Sequence, residues 1–162
     1  NVMLEEGDPV FFEISANVNR YSTSLMRTIS LGPPEDEVKR VAEASIAGLT
    51  AAVENMGPGM TSEQADSFCR DAITKAGYGY LFHHRTGYSL GLGFPPGWGE
   101  GHIMDIKPKD KRELKPGMTF HLTPCLLIPG KAGPGFSETI LITEDGAEPL
   151  TDFAREFVVK TT

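Results

Sequence analysis

The stretch LEEGDPVFFEISANVNRYSTSLMRT, residues 4–28, places two strand-forming runs on either side of a short polar turn. The first run, PVFFEISA at 9–16, is rich in aromatic and β-branched residues, and the second, RYSTSLMRTISL, occupies 20–31. Asn17 and Asn19 lie between them and favour a turn. The stretch therefore predicts a β-hairpin, which ends at a Gly-Pro-Pro sequence.

Two helices are predicted after the hairpin. In residues 35–56 apolar side chains recur every three or four positions, which gives one stripe for burial, and acidic residues open the segment. A GPGM break follows at 57–60. Thr61 then begins a second helix, with Gln64 in the capping-box position, and Gly77 is a plausible C-terminal stop.

Beyond Gly77, strand-like segments alternate with loops rich in glycine and proline. Strands are predicted at 119–128, at 138–143 and within EFVVK at 156–160, with a turn at 144–146. The resulting order, β-β-α-α-β-β-β, favours an α+β fold in which helices cover one face of an antiparallel sheet.

The bulk composition predicts a single domain spanning residues 1–162. A formal charge of −7 argues against general nucleic-acid binding, and no apolar run approaches the roughly 20 residues needed to cross a bilayer. Cys69 and Cys125 lie far apart in the chain and are expected to be free thiols. We therefore expect a cytoplasmic protein that binds neither nucleic acid nor membranes.

Two glutamates stand out as candidate functional groups. Glu13 lies inside the apolar run VFFEISA, and Glu138 begins the strand-like segment ETILIT. Burying a carboxylate is costly unless it is paired or protonated, so each is a candidate acid, base or ligand. In isolation, a solvent-facing position at a strand edge or end would explain each of them as well.

The segment HHRTGYSLGLGFPPGWGE, residues 83–100, is the other candidate region. His83 and His84 could transfer protons near neutral pH, or they could simply be surface residues. The glycines do not form a phosphate-binding GxGxxG loop and instead indicate close backbone approach, as a substrate cleft could require. Trp98 lies in a proline-rich loop that could line a pocket or form an ordinary rigid surface.

Four segments, taken in order, resemble the creatinase/aminopeptidase P/methionine aminopeptidase superfamily. Residues 4–28 are similar to its L-x-x-G-D-x-x-x-x-D-x-G…G-Y-x-S-D-x-T-R-T segment, and HRTGYSLGLGFPP (84–96) to H-x-x-G-H-x-x-G-L-x-x-H-E. LKPGMTFHLTP (114–124) and SETILITEDG (137–146) resemble its L-x-P-G-M-x-x-x-x-E-P and E-D-x-x-L-V-T-x-x-G motifs. The resemblance implies a pita-bread α+β fold that is incomplete at its N-terminus.

The peptidases of this superfamily hold two metal ions with two Asp, one His and two Glu. Residue by residue, these ligands fall on Glu13, Ser24, Tyr88, Thr123 and either Ser137 or Glu138, depending on a one-residue gap. A further histidine and glutamate of the family become Pro95 and Pro96, whereas an early histidine is retained as His84. Neutral hydroxyls are poor ligands for divalent ions, so no metal and no cofactor are expected.

The resemblance is strongest to the ectoine hydrolase branch of the creatinase-like proteins. It implies metal-independent hydrolysis of a C–N bond in a small nitrogen-rich molecule, similar to ectoine or creatine. The alternatives are an Xaa-Pro metallopeptidase and a non-catalytic binding or scaffold module. The resemblance also implies that the chain is part of a longer protein, which acts as a homodimer.

Roles for individual residues follow from this resemblance and from the chemistry that such a reaction needs. Glu138, His84, Tyr88 and Glu13 are the predicted catalytic residues, with Glu138 orienting the substrate or activating water. Glu13 is predicted to be its weaker partner, His84 to carry a proton, and Tyr88 to donate a hydrogen bond. The predicted substrate-binding residues are Trp98, Phe94, His121, Thr123 and Ser24.

Overall fold

A computed structural model describes residues 3–94, 97–100 and 102–161. It begins with the predicted hairpin, in which β1 (Pro9–Val18) pairs antiparallel with β2 (Tyr21–Leu31). Asn19 and Arg20 close the turn with φ angles of 51° and 69°, a region that asparagine tolerates better than most residues. The hairpin prediction is therefore confirmed.

The two predicted helices are also present. Helix α1 (Asp36–Asn55) buries one stripe of small and aliphatic side chains, and α2 (Ser62–Lys75) packs against it. Thr61 caps α2: its hydroxyl accepts from the Gln64 amide, and the Gln64 side chain accepts from the Thr61 amide. Within the described residues, no helix has both the length and the apolar composition needed to cross a membrane.

Five short strands in the remaining chain form an antiparallel sheet. Its strands are β3 (Gly87–Ser89), β4 (Asp105–Ile106), β5 (Thr119–Leu122), β6 (Glu138–Ile142) and β7 (Ala147–Pro149), in the spatial order β4-β3-β5-β6-β7. Gly87 meets the expectation of close backbone approach, because a Cβ there would lie 2.7 Å from the carbonyl oxygen of His121. A short 3-10 helix at Gly79–Leu81 follows α2.

Two sequence expectations need correction. The strand predicted at 119–128 ends at Leu122, and Pro124, which has no amide hydrogen to donate, lies just beyond it. The last strand, β8 (Val158–Lys160), pairs with β2 in parallel, so the hairpin sheet has the order β1-β2-β8 and is mixed. Sequence periodicity carries no information on the direction in which a distant strand returns.

The hydrophobic core lies between the helices and one face of the five-stranded sheet. Alternate residues of the central strands point to this face, including Phe120 and Leu122 of β5 and Ile140 and Ile142 of β6, all of them almost completely buried. The residues between them, such as His121 and Thr139, point to the opposite face. This alternation determines which side chains can reach the cavity described below.

The two sheets meet along a seam at which side-chain hydroxyls take part in the hydrogen bonding. Thr139 Oγ1 accepts from the Ser24 amide and donates to its carbonyl, at 3.1 and 2.8 Å. Thr28 Oγ1 binds both backbone groups of Gly135 in the same way, at 3.0 Å each. Side-chain hydroxyls thus connect β2 to Gly135 and to Thr139 of β6, and within the described residues the two sheets do not share a continuous series of backbone hydrogen bonds along this seam.

Candidate active site

A cavity of about 540 Å³ lies beside this seam, between the hairpin and the five-stranded sheet. Side chains from both sheets and from the glycine-rich loop contribute to its wall. The lining residues are Glu13, Met26, His84, Arg85, Tyr88, Gly97, Trp98, Gly99, Thr123, Cys125 and Leu127. Five residues predicted from the sequence therefore line the same cavity: Glu13, His84, Tyr88, Trp98 and Thr123.

Glu13 is the one carboxylate among the described lining residues. It projects from β1, opposite Met26 of β2, and partial removal from water raises the pKa of its carboxyl above the usual value. Its negative charge also contributes to the raised pKa values of Tyr88 and Cys125, in both of which burial is the larger cause. Glu13 and Tyr88 line the same cavity, so one bound molecule could contact both.

Tyr88 is held in the cavity wall from three sides. The indole Nε1–H of Trp98 donates to its hydroxyl at 3.1 Å, and the guanidinium carbon of Arg85 lies 4.6 Å from its ring centroid. Gly99 packs against the ring so closely that a Cβ at that position would lie 2.6 Å from Tyr88 Cε2. Burial raises the pKa of Tyr88, and the Trp98 hydrogen bond opposes this shift, so the phenol stays protonated at neutral pH.

His121 lies behind Tyr88 and does not line the cavity, which corrects its predicted contact with substrate. Its ring is fully buried, with Nδ1 2.8 Å from the Tyr88 hydroxyl and Nε2 2.6 Å from Ser137 Oγ. Burial lowers the pKa of His121 from 6.5 to about 3, so the ring is neutral near pH 7. The imidazole therefore connects the wall of the cavity to the seam between the sheets.

Glu138 does not line the cavity, so the structure does not bring it together with the other predicted catalytic residues. It points to the helix-covered face of the sheet, where its carboxylate pairs with Arg27 at 2.7 Å and Arg155 at 3.2 Å and also binds the Thr151 hydroxyl. Ser137, one residue earlier, points to the opposite face and contacts His121. Of the two candidates for the family's last ligand position, Ser137 is therefore the one on the same face of the sheet as His121.

Two further predicted binding residues also lie elsewhere. Ser24 is 1% exposed and lies in the seam between the two sheets. Its hydroxyl donates to the Ile14 carbonyl at 3.4 Å. Phe94 lies against Arg20, with the guanidinium carbon 5.0 Å from the ring centroid, and lines a neighbouring cavity that shares Gly97 and Trp98. Pro95 and Pro96 fall outside the described residues.

Sequence reasoning did not single out Arg85 or Cys125. Arg85 lines the cavity while its guanidinium pairs with Asp105 at 2.8 Å, and Cys125 contributes a partly buried thiol. Arg85 lies three residues before Tyr88 in the same motif, and this proximity in sequence was the one signal that could have indicated a place in the site. Nothing in the local sequence of Cys125 distinguishes it from a core thiol.

The residues at the peptidase ligand positions do not fit a pair of divalent ions. Glu13 is the one carboxylate among them, and the other four positions hold the neutral side chains of Ser24, Tyr88, Thr123 and Ser137. No group of three or more His, Cys, Asp or Glu among the described residues is arranged to hold a metal. Neutral hydroxyls neither compensate the charge of such ions nor replace imidazole as a ligand.

The α+β fold is shared with solved dipeptidases and prolidases. Dipeptidase PepE from Mycobacterium ulcerans superposes with a TM-score of 0.87 at 29% identity, over 98% of this chain and 42% of that one. The prolidase from Pyrococcus furiosus gives a TM-score of 0.84 at 34% identity, over 93% of this chain and 43% of that one. These likenesses confirm the predicted pita-bread fold.

Sequence comparisons identify the family. Metallopeptidase family M24 matches residues 1–144, and the chain belongs to this family. An ectoine hydrolase from Halomonas elongata is 38% identical over 155 residues, which cover 96% of this chain and 38% of that protein. An Xaa-Pro dipeptidase from Pyrococcus furiosus is 35% identical over 156 residues, covering 96% of this chain and 43% of that protein. The chain thus spans about two fifths of each relative.

Proposed function

We propose that the protein hydrolyses a C–N bond of a small, nitrogen-rich molecule in the cavity beside the seam, without a metal ion. The observation that carries this proposal is the chemical character of the wall. A single carboxylate, Glu13, is combined with hydrogen-bonding neutral groups at positions where the family's peptidases have ligands. Such a wall suits acid–base chemistry on an uncharged or cationic group more than Lewis-acid chemistry.

The proposed reaction begins with water held by the Glu13 carboxylate. Glu13 removes a proton as the water oxygen attacks the carbon of the C–N bond, and the π electron pair of that carbon moves to the heteroatom at the other end of its double bond. Tyr88 donates a hydrogen bond to the atom on which this charge develops. The C–N bond then breaks and its electron pair goes to the leaving nitrogen, which is protonated by His84 in the same cavity. Solvent carries the proton gained by Glu13 away and returns one to His84, which completes the cycle.

The same wall favours a compact cationic substrate. The carboxylate of Glu13 attracts positive charge, and the face of Trp98 interacts favourably with cations. The volume of the cavity is suitable for a small molecule. The 38% identity to a protein named ectoine hydrolase supports a substrate of the ectoine or creatine type.

The proposal is tested by turnover of ectoine and creatine-like compounds by the full natural polypeptide, with and without prolonged treatment with a metal chelator. We expect hydrolysis of one such compound, unchanged after chelation, and a loss of about 100-fold or more in Glu13→Gln. A rate that falls with chelation and returns with added divalent metal would overturn the metal-independent mechanism.

A second candidate is hydrolysis of Xaa-Pro dipeptides, which is favoured by the 35% identity to an Xaa-Pro dipeptidase. The same assay includes such dipeptides with added divalent metal. Metal-dependent release of proline would establish this alternative. Absence of turnover with every compound, together with thermal stabilisation by a small nitrogen compound, would instead indicate a binding module.

A further inference from the structure

Among the hydrogen bonds around His121, two have a donor and an acceptor that are fixed by chemistry. The Trp98 indole N–H can only donate, so the Tyr88 hydroxyl accepts from it. The Met26 amide can also only donate, and Ser137 Oγ accepts from it at 2.6 Å. The neutral His121 ring lies between these two hydroxyls and carries one proton, either on Nδ1 or on Nε2.

The two tautomers differ in where they leave a hydroxyl hydrogen without an acceptor. With the proton on Nε2, the ring donates to Ser137 and accepts from Tyr88. Ser137 Oγ then receives two donors, and its own hydrogen has no acceptor among the described residues, although Ser137 is fully buried. A buried donor without a partner is disfavoured.

With the proton on Nδ1, every buried group in the hydrogen bonds around His121 is satisfied. Ser137 donates to Nε2, and Nδ1–H donates to the Tyr88 hydroxyl, which then accepts from both Trp98 and His121. The hydrogen of Tyr88 is the one left over, and Tyr88 lines the cavity, where water or a ligand can accept it. The cost of an unpaired buried donor is thereby avoided.

From this balance we infer that His121 and Ser137 are positioning residues that make Tyr88 a hydrogen-bond donor towards the cavity. Both accepting positions of the phenol oxygen are occupied, one by Trp98 in the cavity wall and one by His121 behind it. A ligand at Tyr88 must therefore present an acceptor such as a carbonyl, carboxylate or unprotonated nitrogen. The series of hydrogen bonds from Tyr88 through His121 ends at the Ser137 hydroxyl, which is a very weak acid. These hydrogen bonds therefore orient the phenol and do not deliver protons to it. The inference deepens the proposed function and rests on it only for the identity of the ligand.

The tautomer is measured by long-range ¹H–¹⁵N correlation spectra of the full natural polypeptide, labelled with ¹⁵N at histidine and free of substrate. We expect a proton on Nδ1 and a bare Nε2 for His121, unchanged between about pH 5 and about pH 8. The signal is assigned by its loss in His121→Gln, while exposed His102→Gln should leave it in place. A proton on Nε2, or a doubly protonated ring, would overturn the inference.

A double-mutant cycle tests the consequence for turnover. Ser137→Ala removes the donor to Nε2 and should lower kcat about tenfold with little change in KM. In the Tyr88→Phe background the same substitution should cost nothing further, because no phenol remains to be oriented. If Ser137→Ala lowered kcat equally in the unsubstituted protein and in Tyr88→Phe, Ser137 would not act by positioning Tyr88. The spectra do not require turnover, so failure of the inference and failure of the proposed reaction are distinguishable.

Discussion

Ser137 and Glu138 are neighbours in the chain, but their side chains reach opposite faces of the five-stranded sheet. Ser137 Oγ contacts His121 on the cavity face, whereas the Glu138 carboxylate pairs with Arg27 and Arg155 on the helix face. Two consecutive polar residues therefore have unrelated tasks. One belongs to the hydrogen bonds behind the candidate site, and the other stabilises the fold.

Glu138→Gln is expected to lower the free energy of unfolding and to have little direct effect on turnover by the folded protein. Glu138 is 1% exposed, and its neutral replacement would leave the buried Arg27 guanidinium without a countercharge. Loss of a buried ion-pair partner costs about 3 kcal/mol or more in the free energy of unfolding, which urea denaturation measures. Glu148→Gln, on the exposed side of β7, is the matched control and should change stability little. Loss of turnover in a Glu138→Gln protein of unchanged stability would return Glu138 to the active site.

His121 predicts a loss of stability in acid. Its pKa in the folded protein is about 3, against 6.5 for the ordinary side chain, so between these values the unfolded state binds a proton that the folded state does not. Stability is therefore fully present above pH 6.5 and falls as the pH drops towards 3, by up to about 1.4 kcal/mol per pH unit from this group.

Denaturant unfolding across this pH range measures the effect. His121→Gln should flatten the dependence, whereas His102→Gln, at an exposed histidine, should preserve it. A pH dependence that is the same in His121→Gln and in the unsubstituted protein would show that this buried imidazole does not contribute to it.

Gly99 and Gly97 provide a matched pair of substitutions in one loop. A Cβ on Gly99 would lie 2.6 Å from Tyr88 Cε2, whereas a Cβ on Gly97 would meet no atom of the described residues within 4 Å. Gly99→Ala should therefore displace the Tyr88 ring and lower turnover by about tenfold or more. Gly97→Ala should be close to neutral in the same assay. Equal effects of the two substitutions would show that the packing against Tyr88 is unimportant.

Glu13 predicts opposite effects of one substitution on stability and on turnover. Burial raises the pKa of Glu13 above 4.5, so the folded state retains its proton more strongly than the unfolded state. Its contribution to stability therefore declines as the pH rises above 4.5, and Glu13→Gln, which cannot ionise, should be relatively more stable at neutral pH.

Turnover should behave in the reverse way. As a base, Glu13 must be ionised, so kcat/KM should fall on the acid side with an apparent pKa above 4.5, and Glu13→Gln should have lost most activity. Glu43→Gln, on the exposed side of α1, is the control for both measurements. Full activity of Glu13→Gln would remove this residue from the proposed mechanism.

Local signals in the sequence were sufficient for much of the fold. The asparagines of the hairpin turn, the capping box of Thr61 and the helical stripe of α1 all act over a few residues, and the structure contains each of them. The parallel return of β8 was missed because it depends on contacts between residues more than a hundred positions apart.

The candidate site was less accessible to sequence reasoning for the same reason. His121 is close to Thr123 in sequence, which favoured a shared role, yet pairing with β3 and β6 places it behind Tyr88 and beside Ser137. The choice between Ser137 and Glu138 depended on a one-residue register, which reverses the face a side chain reaches. Only the assembled sheet decides it.

The seam between the two sheets crosses the wall of the candidate site. Glu13 and Met26 stand on the hairpin side, and Tyr88 and Thr123 stand on the other. The Thr139 hydroxyl and the backbone bond from the Ser137 amide to the Met26 carbonyl hold the two sheets together there. The distance between the proposed base and the proposed hydrogen-bond donor is therefore set by how one sheet docks on the other, and not by either sheet alone.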